Sequence, residues 1–387
     1  MPEPQTRPPG QRDEAASKLE VPRGVKLLRT LAGHQDAVMS VAFDPLGGTM
    51  ASASADRTVR LWCARSGRLL RTLIGHQQAV RSVAYPPQGG MVASGSDDKT
   101  AKLWDVQSGH LLRSFEGRSC LVQCVAFDPQ GRTMASGSRD HAVRLWDLRS
   151  GKLLHTLDGH RHGVLSVAFH PQGGTLACGG TDDRVYHWEV GSGRCLRMLA
   201  HWYRRVVIDL PDEVLAKEGA DGRLFFRRPG TNELLEFVGQ QGMLFSLAFD
   251  PAGETLASAH LDHTVKLWNA RSGNLLGELN GHTSIIQCIA FSPDGRMLAS
   301  KSCDGTIRLW DCKTWETVAV IPEPTGKSRY GGLAFHPTLP LLAASGTESG
   351  SPEKEYSRLI HIWELDFDAL LGPAPVQGEN ASGGSRL

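Results

Sequence analysis

A unit of about forty residues recurs along this chain, and its regular spacing constrains the fold more than any other feature. A histidine and a tryptophan lie 28 positions apart in four places: His34 and Trp62, His76 and Trp104, His160 and Trp188, and His282 and Trp310. Four of the tryptophans follow one another every 42 residues: Trp62, Trp104, Trp146 and Trp188. A fixed period in this range is the signature of a repeat architecture.

Each unit contains four short apolar runs of strand length. In the second unit they are residues 80–85, 91–94, 101–104 and 111–115, and turn-forming Gly, Pro, Asp and Ser separate the runs. Small and β-branched residues between such turns are typical of β-strands. We therefore predict that each unit is a four-stranded antiparallel meander.

The dipeptides that open and close the units resemble those of the WD-repeat β-propeller family over roughly residues 25–365. They are Gly33-His34 with Trp62, Gly75-His76 with Trp104-Asp105, Gly159-His160 with Trp188, and Gly281-His282 with Trp310-Asp311. The resemblance implies an all-β, closed propeller of four-stranded antiparallel blades. We count eight blades, including a degenerate one at residues 189–227 in which Arg227 replaces tryptophan; seven blades is the alternative.

The chain ends divide into tails and a closing strand. Residues 25–31 match the fourth strand of the other units, yet no strands of their own unit precede them. In the family such an N-terminal strand completes the last blade, and we expect the same here. The predicted organisation is a disordered tail at 1–24, a propeller at 25–366 and a flexible tail at 367–387, because the two ends are rich in Pro, Gly, Ser and charge.

Composition excludes several classes of function. Lys and Arg number 42 against 41 Asp and Glu, so net charge gives no general attraction to nucleic acid or membrane. No apolar run spans a bilayer, and the N-terminus lacks the apolar segment of a secretory signal. The eight cysteines show no zinc-ligand spacing. We expect a cytoplasmic protein with reduced cysteines and neither metal nor cofactor.

Histidine, serine, aspartate and tryptophan recur together, and in the family they form a hydrogen-bonded chain, here called the tetrad. Matching residues are complete in three units: His34, Ser52, Asp56 and Trp62; His76, Ser94, Asp98 and Trp104; and His282, Ser300, Asp304 and Trp310. Elsewhere Arg118 and Gln240 replace the histidine and Cys178 replaces the serine. A Ser-His-Asp catalytic triad has the same residue types. Three near-identical copies favour a structural fastening, so we predict no catalytic residues.

Function should then lie on the channel-mouth face, where the family commonly docks its partners. Carrying over the exposed positions of that face gives an apolar sector from Met39, Met243, Phe245, Leu261 and Ile285. It also gives an arginine arc from Arg81, Arg139 and Arg204, although solvated arginines explain the arc more simply and Arg81 is placed to pair with Asp97. An insertion at 347–357 would overhang the apolar sector.

We therefore predict a non-enzymatic scaffold or adaptor that binds a protein or peptide, such as a separate effector protein, on this face. Apolar patches on soluble proteins usually mark partner sites. One alternative is a binder of phosphopeptide or nucleic acid through the arginine arc. A less favoured alternative is an enzyme with its active site in the central channel.

Overall fold

A computed structural model describes residues 21–116, 120–182, 184–200, 216–218, 224–227, 234–237, 243–323, 331–346 and 358–372. These residues form 31 strands and one short helix. Every strand pairing among them is antiparallel between neighbours in a small sheet.

The strands, in chain order, group into blades. The N-terminal strand is β1 (Val25–Leu31). Blade one is β2 (Val38–Phe43), β3 (Thr49–Ser54), β4 (Thr58–Cys63) and β5 (Leu69–Ile74). Blade two is β6 (Val80–Ala84), β7 (Met91–Ser96), β8 (Thr100–Asp105) and β9 (Leu111–Glu116). Blade three is β10 (Val122–Phe127), β11 (Thr133–Ser138), β12 (Ala142–Asp147) and β13 (Leu153–Asp158). Blade four is β14 (Val164–Phe169), β15 (Thr175–Gly180), β16 (Arg184–Glu189) and β17 (Cys195–Ala200).

A smaller sheet follows, and then the remaining blades. The smaller sheet is β18 (Ala216–Glu218), β19 (Leu224–Arg227) and β20 (Leu234–Phe237). Blade five is β21 (Leu244–Phe249), β22 (Thr255–His260), β23 (Val265–Asn269) and β24 (Leu275–Leu279). Blade six is β25 (Ile286–Phe291), β26 (Met297–Ser302), β27 (Thr306–Asp311) and β28 (Thr317–Pro322). Blade seven is β29 (Leu333–Phe335), β30 (Leu341–Gly346) and β31 (Leu359–Leu365), with β1 beside β31; helix α1 (Phe367–Leu371) comes last.

The propeller has seven blades, so the prediction of eight was wrong and its seven-blade alternative was right. The inner strands contact one another in the order β2, β6, β10, β14, β21, β25 and β29, and β29 lies against β2. At the point where an eighth blade was predicted, the Leu247 N–H of β21 donates to Ser166 Oγ of β14 at 2.9 Å. No blade therefore intervenes between β14 and β21.

The residues counted as a degenerate blade belong elsewhere. Strand β17 is the outer strand of blade four, paired with β16. Strands β18, β19 and β20 form a separate three-stranded sheet outside the ring order. The predicted first strand of that blade, at 208–210, lies outside the described residues. The stretch has strand-forming residues at the right spacing, but its strands do not occupy a place between two inner strands.

Serine side chains in four of the inner strands accept hydrogen bonds from the next inner strand. Each inner strand in blades one to six has a register shift beside its third residue, which is the mark of a β-bulge. At that residue Ser40 Oγ accepts from Val83 N, Ser82 Oγ from Val125 N, and Ser246 Oγ from Ile289 N, at 3.2–3.3 Å. Sequence analysis missed this contact between blades.

Close packing between blades explains the small residues of the second strands. A Cβ on Gly137 of β11 would lie 2.5 Å from Cys124 Sγ and 2.9 Å from Val164 in the next blade. A Cβ on Gly179 of β15 would lie 2.8 Å from Leu244 of blade five. Distances this short are not tolerated between carbon atoms in a close-packed interior. Glycine at these positions therefore lets adjacent blades approach.

Both ends of the described chain meet at blade seven. Strand β1 pairs antiparallel with β31, from Val25 opposite Leu365 to Leu31 opposite Ile360. Helix α1 (Phe367–Leu371) follows β31, and its Asp366 cap accepts from the Ala369 N–H. Arg296 of blade six donates to the Gly372 carbonyl at 2.7 Å. The remainder of both predicted tails lies outside the described residues.

Removing β1 should destabilise the whole ring, because the deletion takes away the outer strand of blade seven together with the buried side chains of Val25 and Leu31. We expect deletion of residues 1–31 to lower the melting temperature by roughly 10 °C, from the usual cost of losing buried aliphatic side chains. Deletion of residues 1–20 is the control and should leave the melting temperature unchanged. Equal melting temperatures for the two truncations would contradict a closing role for β1.

Candidate functional site

The three complete tetrads form continuous hydrogen-bonded chains inside their blades. In blade one Trp62 Nε1 donates to Ser52 Oγ at 2.8 Å, Ser52 Oγ lies 2.7 Å from His34 Nε2, and His34 Nδ1 lies 2.8 Å from Asp56 Oδ2. The corresponding distances are 2.8, 2.7 and 2.7 Å in blade two and 2.8 Å throughout in blade six. If the hydroxyl and Nδ1 donate, every polar atom in the chain is satisfied.

The tetrad joins two loops on one face. Besides the histidine, Asp98 accepts the Gln77 N–H from the loop before β6 and the Thr100 N–H and hydroxyl from the turn after β7. Ser94 is fully buried and already bonded to both tryptophan and histidine. A catalytic nucleophile needs access to substrate, so this geometry fits a fastening.

In two blades the hydrogen bonds that join tryptophan and histidine in the tetrad are made by different groups. In blade four Cys178 Sγ takes the place of the hydroxyl, 3.1 Å from His160 Nε2 and 3.2 Å from Trp188 Nε1. In blade five His260 lies in the second strand itself and its Nε2 is 2.8 Å from Ser258 Oγ, which accepts from Trp268. Gln240 and Arg118, which replace the histidine in sequence, lie outside the described residues. The sequence signal for His260 was a histidine where other units have Ser or Gly.

A cavity of about 540 Å³ opens at the channel mouth, on the face that carries the fastened loops. Of the predicted apolar sector, Met39 of blade one and Met243 and Phe245 of blade five line it together. Leu261 does not line the cavity, but its N–H donates to the Met243 carbonyl at 2.8 Å. Ile285 likewise adjoins rather than lines it, and its carbonyl accepts the Cys303 N–H. The insertion at 347–357 lies outside the described residues.

The arginine arc is only partly assembled. Arg81 and Arg139 both line the cavity. The Arg81 guanidinium is bound to Asp97, with Nε 2.9 Å from each carboxylate oxygen and Nη2 2.5 Å from Oδ2. Arg204 lies outside the described residues. The described residues therefore do not form a continuous arc of unpaired arginines.

Two histidines at the mouth were missed by sequence analysis. His141, in the turn after β11, and His162, in the loop before β14, are exposed and line the cavity with Arg139. Their rings make an edge contact with centroids 6.1 Å apart. The sequence signal was a histidine directly after the tetrad position at Asp140 and another two residues after the tetrad histidine His160.

The family model described as WD domain, G-beta repeat matches six segments of the chain: residues 25–63, 67–105, 109–147, 151–189, 232–269 and 273–311. Together these segments make up more than half of the chain. The chain belongs to the WD40 repeat family. The strands β29, β30 and β31 of blade seven lie outside the matched segments.

A short stretch of this WD40 protein also resembles a curated relative. Over 62 residues it is 40% identical to Protein Mut11 of Chlamydomonas reinhardtii. The aligned stretch makes up 14% of this chain and 17% of that protein. The match therefore spans about a sixth of the relative's length. It supports the repeat and carries no information on activity.

The described residues contain neither a metal-binding cluster nor a membrane-spanning helix. They contain no cluster of three or more side chains placed to hold a metal ion. Their one helix is too short to cross a membrane.

The tetrad aspartates are stabilised as carboxylates. Burial alone would raise the pKa of Asp98, but the hydrogen bonds from His76, Thr100 and the Gln77 N–H outweigh it and hold that pKa well below its usual range. Asp56 and Asp304 have depressed pKa values from the same balance of burial and hydrogen bonding. A carboxyl group with a lower pKa in the folded protein links stability to pH.

Breaking one tetrad should cost measurable stability. We expect Asp98→Ala to lower the free energy of unfolding by about 1–3 kcal/mol, because His76 loses its acceptor and two loops lose their link. Asp158, exposed at the end of β13, is the matched control, and Asp158→Ala should stay within about 0.5 kcal/mol of the parent protein. Denaturant melts measure both, and a larger loss for Asp158→Ala would show that the tetrad is not a fastening.

The same aspartate should make stability depend on acid pH. Because the folded-state pKa of Asp98 is depressed, its contribution is complete above the unfolded pKa of about 4 and is lost as pH falls toward the folded value. We expect the stability gap between the parent protein and Asp98→Asn to be widest at pH 7 and to narrow below pH 4. Urea midpoints at pH 7, 4 and 3 test this, and a constant gap would refute it.

Proposed function

We propose that this WD40 propeller is a non-enzymatic scaffold that binds a separate protein or peptide at the channel mouth. The observation that carries the proposal is the convergence of Met39, Met243 and Phe245 on one cavity, although they belong to distant parts of the sequence. A concave site that combines an apolar sector with a few polar groups is the usual form of a binding site. The family shown by the repeats commonly works through such contacts.

The rival proposal of an enzyme in the channel has less support. Burial raises the pKa of the lining thiol Cys124 to about 12, which leaves it without nucleophilic character. The lining hydroxyls of Ser40, Ser82 and Ser246 already accept backbone N–H groups from the next blade. No Asp or Glu is among the described residues that line the cavity. Among the described lining residues, no hydroxyl or thiol is hydrogen-bonded to His141 or His162, so a nucleophile paired with a general base is not seen there.

A variant that places charge in the apolar sector tests the proposal. We expect Phe245→Asp with Leu261→Asp to abolish partner capture, because apolar anchors at an interface contribute about 2 kcal/mol or more each. The measurement is quantitative mass spectrometry of proteins cross-linked to the tagged full chain, with the melting temperature recorded for each variant. Leu112→Asp, at an outer-strand leucine that is 51% exposed, is the matched control and should capture partners as the parent does.

Full capture by a folded double variant would overturn the proposed site. A second experiment tests whether the chain's own N-terminal segment competes with an external partner for the channel mouth. That segment also contains apolar and acidic residues. If removal of residues 1–20 strengthens capture, that segment competes for the mouth. If it leaves capture unchanged, the mouth is open to the partner in the full chain.

A further inference from the structure

The cavity at the channel mouth has an uneven distribution of charge. Arg81 and Arg139 are the charged residues among the described side chains that line it, and neither Asp nor Glu is among them. The guanidinium of Arg81 is held in bidentate fashion by Asp97, a geometry that compensates its charge. Arg139 remains as the uncompensated positive charge of the described lining.

Arg139 is exposed, and its guanidinium has no hydrogen-bond or ion-pair partner within the described part of the chain. Two carboxylates in the adjoining turns of blades three and four are already engaged. Asp140 receives two hydrogen bonds from Arg144, at 3.1 and 2.6 Å, and Asp182 is bound to His160 at 2.9 Å. The donors of Arg139 are therefore available to a ligand.

The two histidines extend this group of donors across a blade boundary. The side chain of Arg139 lies against Gly163 of blade four, where a Cβ would come within 3.1 Å of Arg139 Cγ. His162 precedes Gly163, and its ring contacts that of His141. One guanidinium and two imidazoles thus line the same side of the cavity. Imidazole N–H groups and a guanidinium fork are donors suited to an oxyanion.

The neighbouring wall is apolar. Leu165 of blade four and Phe245 and Met243 of blade five line the cavity next to the histidines. A ligand that fills this site has to present an anionic group beside an apolar side chain. A single free guanidinium matches a singly charged carboxylate better than a phosphate dianion, which is usually held by several arginines.

We infer that Arg139, His141 and His162 form an anion subsite that binds an Asp or Glu side chain of a partner peptide, with an adjacent apolar residue against Leu165, Met243 and Phe245. This inference rests on the proposed function and names the chemistry of the partner. The contact follows from charge complementarity, because the described part of the cavity lining supplies an uncompensated cation and neither Asp nor Glu.

A random peptide library tests the chemistry of the subsite while the partner is still unidentified. Dodecapeptides are selected on the immobilised full chain and, in parallel, on Arg139→Ala. We expect the pool from the parent protein to be enriched in Asp or Glu next to an apolar residue, and the pool from Arg139→Ala to lose the acidic enrichment. Arg132→Ala is the matched control, because Arg132 is exposed in a first-to-second-strand turn on the opposite face, and it should behave as the parent.

Synthetic versions of the best acidic peptide give the quantitative test by fluorescence anisotropy. On the parent protein the peptide should bind about tenfold or more tightly than its Glu→Gln or Asp→Asn analogue, the factor expected for one charged hydrogen-bonded pair. On Arg139→Ala the two peptides should bind equally, and on His141→Ala with His162→Ala the ratio should fall. A ratio unaffected by Arg139→Ala, or a phosphoserine analogue that binds more tightly than the carboxylate peptide, would overturn the inference.

The outcomes separate the inference from the proposed function. If the selected peptides show no acidic enrichment but fail to bind the Phe245→Asp with Leu261→Asp variant, the docking site is supported and the anion subsite is refuted. If the library gives no peptide that depends on either group of residues, both proposals fail. The melting temperature of each variant shows that loss of binding does not come from unfolding.

Discussion

The ring depends on hydrogen bonds that pass between inner strands from blades one, two, four and five to the next blade. A β-bulge turns the third residue of the inner strand toward its neighbour, and there Ser166 Oγ accepts the Leu247 N–H at 2.9 Å. Without that hydroxyl the buried N–H would lose a partner, which costs about 1–3 kcal/mol. Cys124 and Cys288 occupy the same position in blades three and six. The Cys288 thiol donates weakly to the Leu333 carbonyl at 4.0 Å, which leaves more of the adhesion to packing. Small middle-strand residues such as Gly137 allow that packing.

The tetrads act within blades and complement this adhesion between blades. Asp56 binds His34 and the Gln35 N–H on one loop and the Thr58 N–H and hydroxyl on the neighbouring turn. Both loops lie on the channel-mouth face, so the fastening fixes the backbone that surrounds the cavity. A rigid frame with variable side chains is the arrangement that binding sites on loops require.

Local features of this fold could be predicted from sequence, whereas relations between distant parts could not. The 28-residue spacing of His76 and Trp104 predicts strands, turns and the tetrad, because each lies within one unit. The number of blades depends on whether β14 meets β21 in space, and strand-forming residues in between misled the count. From sequence, the pairing of Arg81 with Asp97 was only one explanation of the arginine arc, because side-chain geometry decides which explanation holds. The apolar convergence on the mouth followed from repeat positions, but Leu261 and Ile285 adjoin the cavity rather than line it.

The blades that carry the proposed anion subsite and its apolar wall are those in which the tetrad departs from its full form. Arg139 belongs to blade three, where Arg118 stands in place of histidine, and Phe245 belongs to blade five, where the second strand supplies His260 instead. Blade four, between them, uses the thiol of Cys178. In blade five the loop before β21 does not supply the tetrad histidine, and it carries Met243, which lines the cavity. The altered tetrads, the proposed anion subsite and its apolar wall thus lie in the same three adjacent blades.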